Sequence, residues 1–209
     1  MKVKLLSYQP LKDVLSHLPA AKLSEKELLG HLSFTFALEG ISRACSHQLV
    51  RHRVASFSQQ SQRYIQVRRL KTHVVAPPSV TAKSPEIFDS LIGQASNAYQ
   101  ALVDAGIPRE DARFVLPNAT ETNLLVTMDG RSLVHFFGLR CCIRAQWEVK
   151  ELSDEMLRQV REAEPGLFSG RARIVSSLAA ALRGVSPAGA WVKWWRNIGF
   201  SSGEGLLRV

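Results

Sequence analysis

Between Ser33 and Leu38 the chain alternates, with Phe34, Phe36 and Leu38 on one side and smaller or polar residues on the other, a period of two that predicts a strand. Gly40 is expected to end it. Ile41, Ala44, Cys45 and Leu49 then recur at helical spacing, which predicts a helix from about residue 41 to about 52, with Arg51 near its end and Gln48 on the same surface. Short strands are predicted at Val3–Leu6, at Thr72–Val75 ahead of Pro77-Pro78, and at Asn123–Met128. Ser24-x-x-Glu27 is a capping box ahead of Leu28-Leu29. Ser84-Pro85 opens a long helix, with Ser as cap and Pro in the first turn. Its inward stripe should be Ile87, Leu91, Ala95, Tyr99 and Leu102, and Gly106 should stop it. A short helix is predicted over Pro108–Val115. Asp129 should cap a helix carrying Leu133, Phe136, Phe137 and Leu139, and a last helix after Ala145 should turn Trp147, Leu152, Met156 and Val160 inward. Periodicity weakens after Pro165-Gly166. The tail from Gly170 to Val209 holds Trp191, Trp194 and Trp195 beside Lys193 and Arg196 and is assigned no element.

The stretch Arg51–Tyr64, RHRVASFSQQSQRY, breaks the pattern. It holds three Arg, three Ser and three Gln, with only Val54, Ala55 and Phe57 as apolar filler, and follows no 3.6 period, so it must be extended or looped. From Arg51 through His73 there are six Lys or Arg and no Asp or Glu, so the segment has no internal partner for its charge. Arginine forks suit phosphate and carboxylate oxygens, and the interleaved Ser and Gln add directional hydrogen bonds that a merely solvated basic face does not require. Backbone donors at the start of the helix after Asp129 also favour an anion, although the Asp129 carboxylate competes for them.

Composition widens the same picture. The 209 residues carry a net charge of +9 and are 45% hydrophobic, which fits one globular domain with an anionic partner but does not choose among nucleotide, nucleic acid and membrane surface. Three cysteines without CxxC spacing, Cys45 and the pair Cys141-Cys142, argue against a disulfide framework or a zinc site and for a reducing, cytoplasmic setting. No metal site is expected. MKVKLLSYQP lacks the apolar centre of a signal peptide, and no apolar run reaches the ~18 residues of a membrane span.

Arg51-His52-Arg53, seven residues, then Ser61 resembles the signature of the flavin-dependent thymidylate synthases. SRACSHQLVRHR before Val54, QRY at 62–64, ARFVLP at 112–117, TMDGRSLVHFFGLR at 127–140 and RAQWEV at 144–149 look like further segments of that family, in family order, over about residues 33 to 163. The resemblance implies an α/β (α+β) fold, a mostly antiparallel sheet flanked by helices, in a homotetramer with shared active sites. It implies methylation of dUMP to dTMP, with methylenetetrahydrofolate as carbon donor, NADPH as reductant and FAD as hydride carrier. By position, Gln48, Leu49, Val50, Arg51, Gln59, Gln60, Ser61, Gln62, Arg63, Arg113 and Arg140 look like dUMP-binding residues, Arg140 being catalytic at the pyrimidine. Arg51, His52, Arg53, Gln59, Asp129, Gly130, Arg131 and His135 match FAD-contacting positions. Gly30-His31-Leu32-Ser33 is a shortened form of a longer family segment, and Asp129 stands where Asn is common. The expected layout is a synthase-like domain over 1–168, shortened at its N-terminal end, and a divergent tail over 169–209. Two alternatives stand beside it: a catalytically impaired paralogue keeping the fold, and a basic nucleic-acid-binding module stacking bases on Phe57 and Tyr64. The resemblance favours neither nucleic acid nor membrane as a partner.

Overall fold

In the computed structural model, which describes residues 1–17, 24–65, 67 and 70–168, four strands make one antiparallel sheet. They are β1 (Lys2–Tyr8), β2 (Ser33–Ser42), β3 (Ser56–Gln59) and β4 (Glu121–Asp129), in the order β1-β2-β4-β3. The fold is therefore α/β, with a mostly antiparallel sheet, as the resemblance implied. The tail over 169–209 with its tryptophans, and Arg68 and Arg69 of the basic run, lie outside the described residues.

The alternation at residues 33–38 places the core. Phe34, Phe36 and Leu38 pair across the sheet with Met128, Val126 and Leu124, and all six are buried on one face. On the opposite face the Thr35 and Thr127 hydroxyls bond at 2.9 Å. Two helices cover the apolar face. From α7 (Gly130–Arg140) come Leu133, Phe136 and Phe137, and from α8 (Trp147–Ala163) come Val149, Leu152, Met156 and Val160. Trp147, predicted to turn inward, is only half-buried, because it opens α8 at its first position, with Gln146 as cap. Besides packing, α8 reaches the sheet through Gln159, whose amide donates to the Val3 carbonyl at 2.8 Å and accepts from the Leu5 N–H at 2.6 Å.

Gly40 does not end β2. It takes φ +66, the pairing register with β4 slips between Leu38 and Ile41, and the strand resumes to Ser42, so Gly40 marks a bulge. The following helix α3 (Arg43–Leu49) is shorter than its pattern predicts. Ser42 caps it through Oγ to the Cys45 N–H at 2.9 Å, and the buried Glu148 carboxylate accepts from both the Ser42 N–H and its hydroxyl. Arg51 consequently lies in the turn beyond the helix.

The capping box forms at α2 (Glu25–His31), preceded by a short α1 (Leu11–His17). Thr72–Val75 is no strand. Leu70–Thr72 forms a 3₁₀ turn that buries Leu70, and Val74 bridges Thr120 alone. After α4 (Pro78–Lys83), the long helix α5 (Pro85–Asp104) starts and stops as predicted, with Gly106 at φ +81, but the Ser84 side chain makes no cap bond. Its stripe is rotated: Ile92 and Tyr99 are buried, while Ile87 and Leu91 are 63% and 57% exposed. The cause is position, since α5 packs on the Leu70 turn, α4 and the segment after it rather than on the main core. That segment is α6 (Arg109–Ala112) followed by a 3₁₀ turn at Arg113–Val115. The short α9 (Pro165–Phe168) brings Phe168 edge-on to Phe34 at 5.7 Å. No helix among the described residues is long and apolar enough to cross a membrane.

Candidate active site

The turn after α3 and the outer surface of α7 face each other because β3 and β4 pair edge to edge, and each is joined directly to one of these two segments. Between them opens a cavity of about 500 Å³. Arg51, His52, Arg53 and Val54 form one wall; Arg131, His135 and Leu139 of α7, at i, i+4 spacings that keep them on one helix surface, form the other together with Arg140 at the helix end. Asp129 lies at the junction. Its carboxylate accepts from the Ser132 N–H at 2.7 Å, so it acts as helix cap.

Two glycines allow this packing. A Cβ on Gly130 would lie 2.7 Å from the Leu29 carbonyl oxygen, so α2 and the start of α7 approach only with glycine there. A Cβ on Gly30 would lie 2.8 Å from the guanidinium of Arg131, which rests against α2.

At the far end of α7, Arg140 is held twice. Its Nε donates to His52 Nε2 at 2.9 Å and its Nη2 donates to the Gln48 carbonyl at 3.3 Å. The His52 ring packs edge-to-face on Phe136 at 4.9 Å and lies 6.4 Å from His135. Burial, then Arg140, then His135 pull the His52 pKa down to about 4, so the imidazole is neutral at neutral pH. Burial also lowers Arg140 from its ordinary value. Four guanidiniums thus share one lining with a single, already committed carboxylate among the described residues, which is an anion-binding arrangement.

The sequence model of the family described as thymidylate synthase complementing protein matches residues 12–166. The chain belongs to that family. The flavin-dependent thymidylate synthase of Geobacter sulfurreducens is 57% identical over 148 residues, covering 70% of this chain and 64% of the relative. Those of Sulfolobus acidocaldarius and Thermococcus onnurineus are each 45% identical, covering 68% and 73% of this chain and 54% and 64% of the relatives. The chain therefore spans somewhat more than half the length of these curated relatives.

Val54, Met128 and Leu139 give the cavity an apolar wall, and Arg51, Arg53 and Arg131 bring guanidinium donors to it. Of the predicted flavin residues, Arg51, His52, Arg53, Asp129, Arg131 and His135 line this one cavity. Gly130 serves close packing below it. Val54, Met128, Ser132 and Leu139 were not anticipated, although Leu139 follows His135 by four on a predicted helix, a signal within reach.

The predicted substrate residues divide. Arg140 lines the cavity, and Gln48, which does not, meets it through its backbone carbonyl. Leu49 is a core residue, fully buried, so its side chain has no free face for a ligand, and Val50 is 37% exposed beside it. Gln59 turns inward instead, its Nε2 donating to Ser46 Oγ at 3.1 Å and Thr122 Oγ1 at 3.2 Å. Gln60 accepts from Asn123 Nδ2 at 3.1 Å and edges a second cavity of about 270 Å³. Ser61 Oγ accepts from the Arg63 N–H at 3.2 Å, and no base stands beside it among the described contacts. The Gln62 amide nitrogen is buried with no partner among the described residues.

The anion that Arg63 meets comes from outside its segment: Glu110 of α6 takes its Nε at 2.8 Å and its Nη2 at 2.7 Å, with Tyr64 under the guanidinium. Arg113 bonds the Glu110 carbonyl at 3.0 Å and stands near enough to Arg43 to add to the lowering that burial imposes on that residue. The cysteines are free; burial pushes Cys45 up to about 12 and Cys141 up to about 11, which makes packing residues of them.

Proposed function

We propose that the chain is a flavin-dependent thymidylate synthase: it converts dUMP to dTMP, taking a methylene group from methylenetetrahydrofolate and two electrons from NADPH by way of FAD. Tetrahydrofolate and NADP⁺ leave with the product. The observation that carries this reading is the arginine-lined cavity in which Arg140 is fixed beside an apolar wall suited to a flavin ring. The flavin supplies hydride transfer when bound. The protein's own residues bind and orient. Arg51, Arg53 and Arg131 hold phosphates, and Arg140 places a cation at the nitrogen edge of the uracil, where negative charge develops as the ring becomes nucleophilic.

Gln59 to Arg63 and Arg113 are assigned to dUMP in a homotetramer, each set completing the cavity of another subunit. Two features support this. Within one chain those residues lie off the cavity, and they sit among exposed apolar side chains, Tyr64 at 70% and Phe114 at 83% exposure. Three free cysteines go with a reducing cytoplasm. The test is the purified full chain incubated with FAD: a yellow protein that oxidises NADPH only when dUMP and methylenetetrahydrofolate are present, and forms dTMP, is expected. A protein that stays colourless would overturn the reading.

A further inference from the structure

Arg140 and His52 are 88 positions apart and meet where α7 crosses the turn after α3. A guanidinium at a helix C-terminus ordinarily swings in solvent. Here Nε on His52 and Nη2 on the Gln48 carbonyl fix its plane, because two contacts on a rigid fork leave it one orientation. His52 is itself held: its backbone N–H donates to the Leu49 carbonyl at 3.1 Å and its ring packs edge-to-face on Phe136 at 4.9 Å. We propose that His52 is a positioning residue for Arg140, accepting the Nε–H so that the free edge of the guanidinium faces the cavity and the ligand placed there.

The choice of histidine has a chemical reason. A carboxylate at this point would grip Arg140 harder but would cancel the positive charge that the site needs. A neutral imidazole orients the cation without neutralising it, and it must be neutral, since an imidazolium has no lone pair to offer. The charged and titratable groups around His52, namely Arg140 and His135 from α7, both oppose its protonation, as does burial. The role in turnover rests on the proposed reading of Arg140; the hydrogen bond itself does not.

Full-length protein carrying ¹⁵N-labelled arginine and histidine tests both. In the wild type, the His52 Nε2 shift at pH 7 should be that of an unprotonated nitrogen, with the proton on Nδ1. An Nε2–H tautomer or an imidazolium would overturn the proposal. His52→Phe keeps a ring against Phe136 without the acceptor, and His52→Gln restores a neutral acceptor. Loss of one charge-assisted bond should speed Arg140 Nε–H exchange about tenfold in His52→Phe, with most of the protection regained in His52→Gln. The same variants should lose about tenfold in kcat with a smaller change in KM for dUMP, and regain it together. Equal exchange in wild type and His52→Phe would overturn the proposal, as would full turnover by His52→Phe. A wild type that forms no dTMP would overturn the function, while the tautomer and exchange results would still decide the hydrogen bond.

Discussion

Arg51–Val54 and Gln60–Arg63 lie at the two ends of the same four-residue strand, β3, yet their side chains are in opposite conditions. The first group faces α7 of its own chain across a formed cavity. Of the second, Gln60 is tied to Asn123, Ser61 to the Arg63 backbone and Arg63 to Glu110, while the Gln62 amide nitrogen is buried with no partner among the described residues. A cavity that one chain completes needs only folding to become a binding site. A strip that one chain leaves open needs a second surface, and until then its cations take whatever carboxylate is near. The contrast assigns different failures to the two groups.

The largest effect should come from Arg140→Ala, which removes the guanidinium while leaving both cavity walls. Methylation should drop at least about a hundredfold with FAD still bound; unchanged dTMP formation would remove Arg140 from the chemistry. Gly130→Ala should come next. Its Cβ meets backbone, which cannot step aside, so α2 and α7 must part, at a cost of about 1–3 kcal/mol in denaturant unfolding and with weaker flavin retention. Arg63→Ala should raise KM for dUMP about tenfold through loss of one charged contact and leave flavin content alone; a fall in FAD affinity instead would erase the division between the two ends of β3. The reciprocal change Glu110→Ala should leave thermal stability unaltered, because the pair is about half exposed, and should make dUMP binding more sensitive to salt.

The smallest effect is a pH dependence. His52 titrates near 4 when folded against 6.5 when unfolded, so below pH 6.5 the unfolded chain takes up a proton that the folded chain refuses. Stability should therefore fall as pH drops from about 6.5 to about 4, an effect absent in His52→Phe. Denaturant midpoints measured across that window check it.

The sheet face of β2 and the starts of α2 and α7 were legible in the sequence, because alternation in β2 and capping at Ser24 and Asp129 are local events with strong residue preferences. What failed was non-local. Whether Gly40 stops a strand or bulges it depends on what β4 offers opposite, and there the partner strand continues to Glu121. The α5 stripe was a sound helical pattern attached to the wrong surface, since periodicity gives a face but not the neighbour that covers it. Within the candidate site, the RHR wall and the α7 wall could both be named from motifs, but their meeting through His52 and Arg140 could not. Nor could the pairing of Arg63 with Glu110, 47 residues away.

The amide of Gln159 has a further consequence. β1 is an outer strand of the sheet, and a bare outer strand is a template on which other chains can add. By giving a hydrogen to Val3 and taking one from Leu5, Gln159 presents the two-point pattern of a neighbouring peptide group in a side chain. It behaves as a strand one residue long, which occupies the edge at Val3 and Leu5 and cannot itself be extended, so β-sheet growth at these two residues must first dislodge a side chain anchored on α8.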